Sequence, residues 1–354
     1  MKIGIVTQPL NDNYGGILQN WALHQVLHEM GHNPITLDVY LKYPKWRYIL
    51  SYSLTSLLNF LGAKRNYPVK PINGRIASKF TADFISTINL TKPLNKYSTR
   101  VIKKNKIDAL IVGSDQVWRP KYNSNIYDMY LDFAKNLECK KIAYAASFGV
   151  DEWEYSEEER DKCQELIKQF NAVSVREESG VNLCKKHLNI DADIVLDPTL
   201  LLKKDKYADI CSNIPRAKES FIAVYCLDLK DEVMRIIERQ YGGKKIIVFS
   251  AHGNNTLTVP QWLSMFRDAE EVITDSFHGT VFSIIFNKQF INIPNESRGS
   301  SRLETLYNLI GIHRDTHKLN LSPQPIDYFL VNATIDKLAQ LSKTFLSNNL
   351  KLDV

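Results

Sequence analysis

Residues 271–286 read EVITDSFHGTVFSIIF. A β-type run from Glu271 to Thr274 stops at Asp275, Ser276, Phe277, His278 and Gly279, and an apolar helical pattern opens at Thr280. Strand, short loop and helix form the repeating unit of parallel sheets covered by helices on both faces. The loop falls at the carboxyl end of the strand, the edge where open α/β sheets bind ligands. The first amides of the helix, expected at Gly279, Thr280 and Val281, have no intrahelical acceptor, and together with the helix dipole they favour an anion. Ser276 and Thr280 add hydroxyl donors, Gly279 permits close approach, and His278 stands where it can donate a proton to a bound group. The competing reading is structural: Ser276 or Asp275 caps the helix and His278 bonds to backbone.

The same alternation runs outward in both directions. Upstream lie strand KIGIVT, loop QPLNDNYGG and helix ILQNWALHQVLHEMG, then strands PITLDV, IDALIVG, KIAYAAS, AVSVR and DIVLD. Between Leu202 and Ser220 the pattern lapses into a polar linker around a short helix, with Pro215 inside it. It resumes with FIAVYCL, DEVMRIIERQYG and KKIIVFS, then helix QWLSMFRDA after Pro260, and it ends after QFINIP with a closing helix over IDKLAQLSKTFLSNNL. The expectation is an α/β protein of two doubly wound, Rossmann-like domains facing a cleft, with boundaries at 1–205, 206–330 and 331–354.

Bulk properties narrow the function. The chain has 354 residues, and 45 Lys plus Arg against 39 Asp plus Glu give a net charge of +6, too weak an excess to argue for nucleic acid. Five scattered cysteines without a CxxC pair argue against disulfides or zinc and for a reducing cytoplasm. No metal is expected: the sequence has no HxH pair, and these strand-end loops hold no DxD. No uninterrupted apolar run is long enough to span a bilayer. One segment leans toward a membrane nonetheless. YILSYSLTSLLNFLGA carries no charge, aligns Leu50, Leu54, Leu57, Leu58 and Leu61 on one helical face, and is flanked by Lys45, Arg47, Lys64 and Arg65. Contact of residues 46–63 with a bilayer surface fits that pattern, and so does a helix packed on the core.

Three further constellations sit at strand ends. In FNAVSVREESG, Arg176 presents a fork that suits a carboxylate or phosphate, or a salt bridge to Glu177 or Glu178. In IVGSDQVWRP, Asp115 can act as a base or bind a sugar hydroxyl, beside Ser114, and Trp118 can serve as a stacking platform; a turn or cap role for Asp115 competes. In NDNYGGILQNW, paired glycines precede a helix without the GxGxxG of dinucleotide sites; amides there can still cradle an anion or a substrate hydroxyl, with Tyr14, Gly15, Gly16 and Gln19 as the candidate residues. RGSSRLETLYNLIGI supplies Arg298 and Arg302 after the last strand.

Taken together, YGGILQNWAL, IVGSDQVW, KIAYAASFG, VSVREESG, DIVLDPTLLL, ITDSFHGTVFSIIFNKQFI and SSRLETLYNLIGI resemble the polysaccharide pyruvyl transferase family, in family order and over nearly the whole chain. The resemblance implies an architecture like the GT-B glycosyltransferases. It also implies transfer of the enolpyruvyl carbons of phosphoenolpyruvate onto a saccharide, giving a pyruvate ketal and phosphate, with no cofactor beyond that co-substrate. The family's donor-binding histidine matches His278 and its strand-end arginine matches Arg176. A basic residue before the late helix, usually lysine, aligns with Arg302, which keeps the charge and changes the geometry. The expected donor set is therefore Arg176, Ser276, Gly279, Thr280 and Arg302, with His278 as general acid and Asp115 as base. The expected acceptor is a lipid-linked intermediate of capsule, exopolysaccharide or wall-polymer synthesis, met by a cytoplasmic protein on the inner face of the membrane. A GT-B glycosyltransferase using a nucleotide sugar is the first alternative; against it, no acidic residue follows Gly279 until Glu296. A non-catalytic binding protein of the same fold is the second.

Overall fold

The computed structural model describes residues 1–40, 45–63, 65, 67–68, 79–250, 256–295 and 299–351. Arg298, Glu296 and Lys64 lie outside them. In the amino-terminal half, β1 (Lys2–Val6) leads into α1 (Tyr14–Glu29) and β2 (Asn33–Thr36), followed by α2 (Lys45–Phe60), α3 (Lys79–Ile85) and α4 (Thr99–Asn105). Next come β3 (Ala109–Val112), β4 (Lys140–Ala146), α5 (Glu157–Ile167), β5 (Ala172–Val175), α6 (Glu178–Leu183) and β6 (Asp193–Ile194). These strands form a six-stranded parallel sheet ordered β2-β1-β3-β4-β5-β6. Its central strands are apolar on both faces (ALIV in β3, fully buried) because helices cover both sides.

The carboxyl-terminal half repeats the plan after α7 (Lys204–Ile210). β7 (Ile222–Tyr225), α8 (Asp231–Gln240), β8 (Ile246–Phe249), α9 (Val259–Asp268), β9 (Glu271–Thr274), α10 (Phe277–Ile285) and β10 (Gln289–Asn292) follow, then α11 (Ser301–Ile310) and α12 (Tyr328–Asn349). The four strands are parallel in the order β10-β9-β7-β8. Each sheet reverses its winding once, between β1 and β3 and between β7 and β9, and those switch points are where such sheets leave a crevice.

The two halves share one apolar core. Tyr14 of α1 stacks on Trp262 of α9 at 5.2 Å, and Tyr207 of α7 meets Phe282 of α10 edge-on at 5.1 Å. α12 crosses back to the first half, where Ser342 accepts from the Leu196 amide and Phe345 packs on Tyr144.

Local chemistry moves some boundaries. α10 begins at Phe277, not Thr280, because Ser276 is its N-cap and accepts from the Gly279 amide. DIVLD pairs only through Asp193 and Ile194, since Asp197 turns out of the sheet to cap Pro198–Leu201. α2 departs most from a core helix: its Leu50, Leu54 and Leu57 are exposed. Among the described residues no helix is long and apolar enough to cross a membrane.

Candidate active site between the two sheets

A cavity of about 880 Å³ opens between the carboxyl ends of the two sheets. Both switch points face it: Gln8, Asp12 and Asn13 after β1 and Asp115 after β3 oppose Leu227 after β7 and Asp275 to His278 after β9. Asn292 to Asn295 and Arg302 complete the second wall.

His278 is therefore not in a loop. It occupies the second position of α10, buried, in the first helical turn. Its ring rests on the backbone of Gly15, where an added Cβ would lie 2.0 Å from Nδ1, so only glycine fits at that point of α1. Nε2 lies 3.7 Å from Asp197 Oδ2, too far for a hydrogen bond, and has no hydrogen-bond partner among the described residues. The expected anion-binding amides shift by one turn. Ser276 consumes the Gly279 amide, and the Thr280 amide bonds Ser276 O. Thr280 itself is fully buried and accepts from Asn292, so neither Gly279 nor Thr280 reaches the cavity. The amides of Phe277 and His278 remain, and their residues line the cavity with Ser276. Asp275 does not cap α10; its carboxylate accepts from the Leu227 amide at 2.6 Å, the Asp228 amide at 2.9 Å and Asn295 Nδ2 at 3.0 Å, fixing the wall around it.

Arg176 holds a different post from the one expected. Its side chain is buried and does not line the cavity. It donates to Asp197 Oδ2 at 2.7 Å and to Asp115 Oδ1 at 3.0 Å, with Glu177 at 3.9 Å. A guanidinium so committed organises carboxylates rather than binding a ligand anion. Burial works against ionisation of Asp115 and Asp197, but it is outweighed. Arg176, His278 and Arg302 hold Asp115 below the usual carboxylate range, and contacts with His278, Arg176 and Thr199 hold Asp197 far below it. Asp115, which lines the cavity at a φ of 71°, is consequently a poor proton acceptor; its Oδ2 accepts from Asn13 at 3.2 Å. Burial pushes the Glu177 carboxyl up, and it accepts from the amides of Phe148 and Gly149.

Arg302, at the second position of α11, does reach the cavity. The Phe277 ring centroid lies 5.5 Å from its guanidinium carbon and 4.6 Å from that of Arg176. Burial first, and then Arg176, lower Arg302 to about 10, so an anion is the partner this environment favours.

Of the expected acceptor residues, only Gly15 lines the cavity. Tyr14 is buried, its hydroxyl donating to Leu257 O and accepting from the Leu257 amide, and so it ties the halves together. Gly16 gives its amide to Asn13. Gln19 is buried between Thr7, Gly16 and the Ser114 amide, and Ser114 donates to Ala145 O and Asp197. Trp118 is packed against Tyr130 and Phe148 with its indole N–H on Met129 O, so no sugar can stack on it. Gln8, Asn11, Asp12, Asn13, Gln116 and Tyr122 line the cavity on that side instead. Sequence reasoning also missed Asp197, which joins Arg176, Ser114, Thr199 and the His278 ring. An acid at a strand's carboxyl end just before Pro198 was the available signal.

Two parallel switch-point sheets closing on one cleft define a two-domain, GT-B-like protein. S. aureus MnaA in its co-structure with UDP has this fold, with a TM-score of 0.51 at 11% identity, covering 99% of this chain and 95% of that one. UDP-GlcNAc 2-epimerase from Neisseria meningitidis, bound to UDP-GlcNAc, matches with a TM-score of 0.49 at 11% identity and 99% coverage of both chains. No curated protein matches the sequence. The family model for polysaccharide pyruvyl transferase matches residues 13–297, and the chain belongs to that family, a family of transferases.

Proposed function

We propose that the protein transfers the enolpyruvyl group of phosphoenolpyruvate to two hydroxyls of a saccharide, forming a pyruvate ketal and releasing phosphate. The observation that carries this is the asymmetry of the cavity. One wall gathers Arg302, His278 and the free first-turn amides of α10; the other offers amides, carboxylates and a phenol. The first set suits a small doubly anionic donor, and the second suits sugar hydroxyls. In the reaction C3 of the donor takes a proton and becomes a methyl, C2 becomes oxocarbenium-like, and one sugar hydroxyl adds to it. Phosphate departs, the second hydroxyl closes the ring, and of the two hydroxyl protons one balances the methyl and one leaves with phosphate.

His278 is the proton donor in this reading, held against Gly15 and opposite Asp197. Arg302 and the α10 amides take the donor's anionic groups and stabilise the departing phosphate. Asp115, kept ionised, orients Arg176 and can accept a hydrogen bond from a sugar hydroxyl. The acceptor class is a lipid-linked saccharide of capsule, exopolysaccharide or wall-polymer synthesis, met at the inner membrane face. Incubation with phosphoenolpyruvate and a panel of free and lipid-linked saccharides tests the proposal. The expected result is the mass gain of one ketal-linked pyruvate with release of an equivalent of phosphate. Turnover only with sugar nucleotides would make the protein a glycosyltransferase instead, and donor binding without turnover on any acceptor would favour a binding protein.

A further inference from the structure

We infer that α2 is a docking surface for an anionic bilayer. In an ordinary surface helix the apolar stripe faces the protein and the polar side faces water. In α2 the arrangement is inverted. The half-buried side carries Tyr48, Ser51, Thr55, Leu58 and Asn59, while Trp46, Ile49, Leu50, Leu54, Leu57, Phe60 and Leu61 are exposed along one stripe. Of the fifteen large apolar side chains exposed among the described residues, seven stand on this one helix and Leu61 directly follows it. So concentrated an apolar face on a surface helix marks an interaction site.

Charge selects the occupant. Between Asp38 and Asp83 the sequence contains eight basic residues and no acidic one. The rest of the chain carries 37 Lys plus Arg against 39 acidic residues, so the whole positive excess of the protein sits in this segment. An apolar stripe with Trp46 at its rim, in a stretch of sequence whose only charges are basic, matches the boundary of a negatively charged leaflet, where aromatic side chains sit at headgroup level and Lys and Arg meet anionic lipid. A second copy of the chain would bring a second, equally basic segment against the first, which disfavours self-association.

In the chain, α2 lies between two elements that border the cleft. The chain leaves for α2 from the carboxyl end of β2, the cleft edge of the sheet. It returns at α3, whose Thr81 hydroxyl donates to the cavity-lining Asp12 at 2.8 Å. A bilayer docked on α2 would add to the proposed function a surface for presenting a lipid-linked acceptor. The inference itself stands without the donor assignment.

Co-flotation of the full-length protein with vesicles tests it. Vesicles of phosphatidylcholine alone are compared with vesicles in which roughly a third of the lipid is phosphatidylglycerol. Wild-type protein should bind the anionic vesicles at least about tenfold more tightly, with the advantage shrinking as salt rises. The variant L50S/L54S/L57S, whose substitutions lie on the exposed stripe, should lose at least about tenfold of that binding. Its circular dichroism and its calorimetric affinity for phosphoenolpyruvate should match wild type, so failure of docking and failure of the donor assignment read out separately. Absence of wild-type binding to anionic vesicles, or equal binding by the variant, overturns the inference. So does a wild-type dimer that the variant converts to monomer.

Discussion

Replacing Gly15 by alanine probes the seat of His278 directly. The new Cβ would lie 2.0 Å from Nδ1, 2.3 Å from Cγ and 2.8 Å from Cβ of His278. Carbon contacts settle at about 3.5–4 Å, so the ring must retreat by roughly 1.5 Å. Neither helix can yield easily. α1 is pinned one residue earlier by Tyr14 on Leu257 and Trp262, and α10 is pinned one residue later by Gly279, where a Cβ would lie 2.2 Å from Thr274 Oγ1. The imidazole is the part that moves. Overpacking of this kind costs about 1–3 kcal/mol of stability, which a protein of this size survives. Misplacing a catalytic group by about 1 Å costs on the order of 10²-fold in turnover. The assay is acceptor-dependent phosphate release, with unfolding in urea measured in parallel. Gly16→Ala is the control: its Cβ would meet the flexible Asn13 side chain at 3.0 Å, and turnover should stay within a few fold. In a His278→Ala background, Gly15→Ala should cost far less, because the clashing ring is gone. Turnover of Gly15→Ala equal to that of Gly16→Ala would refute the placement of His278 as the proton donor.

Other outcomes follow from the charge network. Arg302→Ala should raise the KM for phosphoenolpyruvate by roughly 10–100-fold, the value of a charge-assisted hydrogen bond, with a smaller change in kcat; titration calorimetry checks the binding loss. Arg176→Ala should act on stability first, by about 3–5 kcal/mol in urea unfolding, because it strands Asp115 and Asp197 in the interior. Both carboxylates are depressed in the folded state. Their contribution is therefore present above the ordinary carboxyl range near pH 4 and lost as pH falls toward the depressed folded values, so stability should begin to drop near about pH 5 and go on falling below about pH 3. Asp197→Asn should flatten that drop and lower kcat more than it raises KM, since the residue faces the His278 ring rather than the cavity.

The sequence displayed the layered fold because parallel strands are short apolar runs and their helices follow a different period, so the alternation is visible without contacts. His278 and Arg302 were legible for a related reason, since each follows a strand end, and the cavity lies at those ends. Arg176 obeyed the same rule and still turned inward. Its partners Asp115 and Asp197 are 61 and 21 residues away, and only packing of β3, β5 and the turn after β6 brings them together. Trp118 and Gln19 misled in the same way, because a loop at the right edge has an inner and an outer side and the sequence does not mark which one a side chain takes. The cap at Ser276 was foreseen only as an alternative, and it displaced the expected amides by one turn. On α2 the period gave the stripe, but nothing in the period says which way a stripe faces.

The central claim is that a small phosphoester binds between the halves, against Arg302 and the start of α10. A crystal soaked with phosphoenolpyruvate tests it most directly. The account predicts one anionic group on the Arg302 guanidinium, another on the Phe277 and His278 amides, and the donor's C3 facing the imidazole. Density for the compound elsewhere, with Arg302 and the α10 amides untouched, would contradict it.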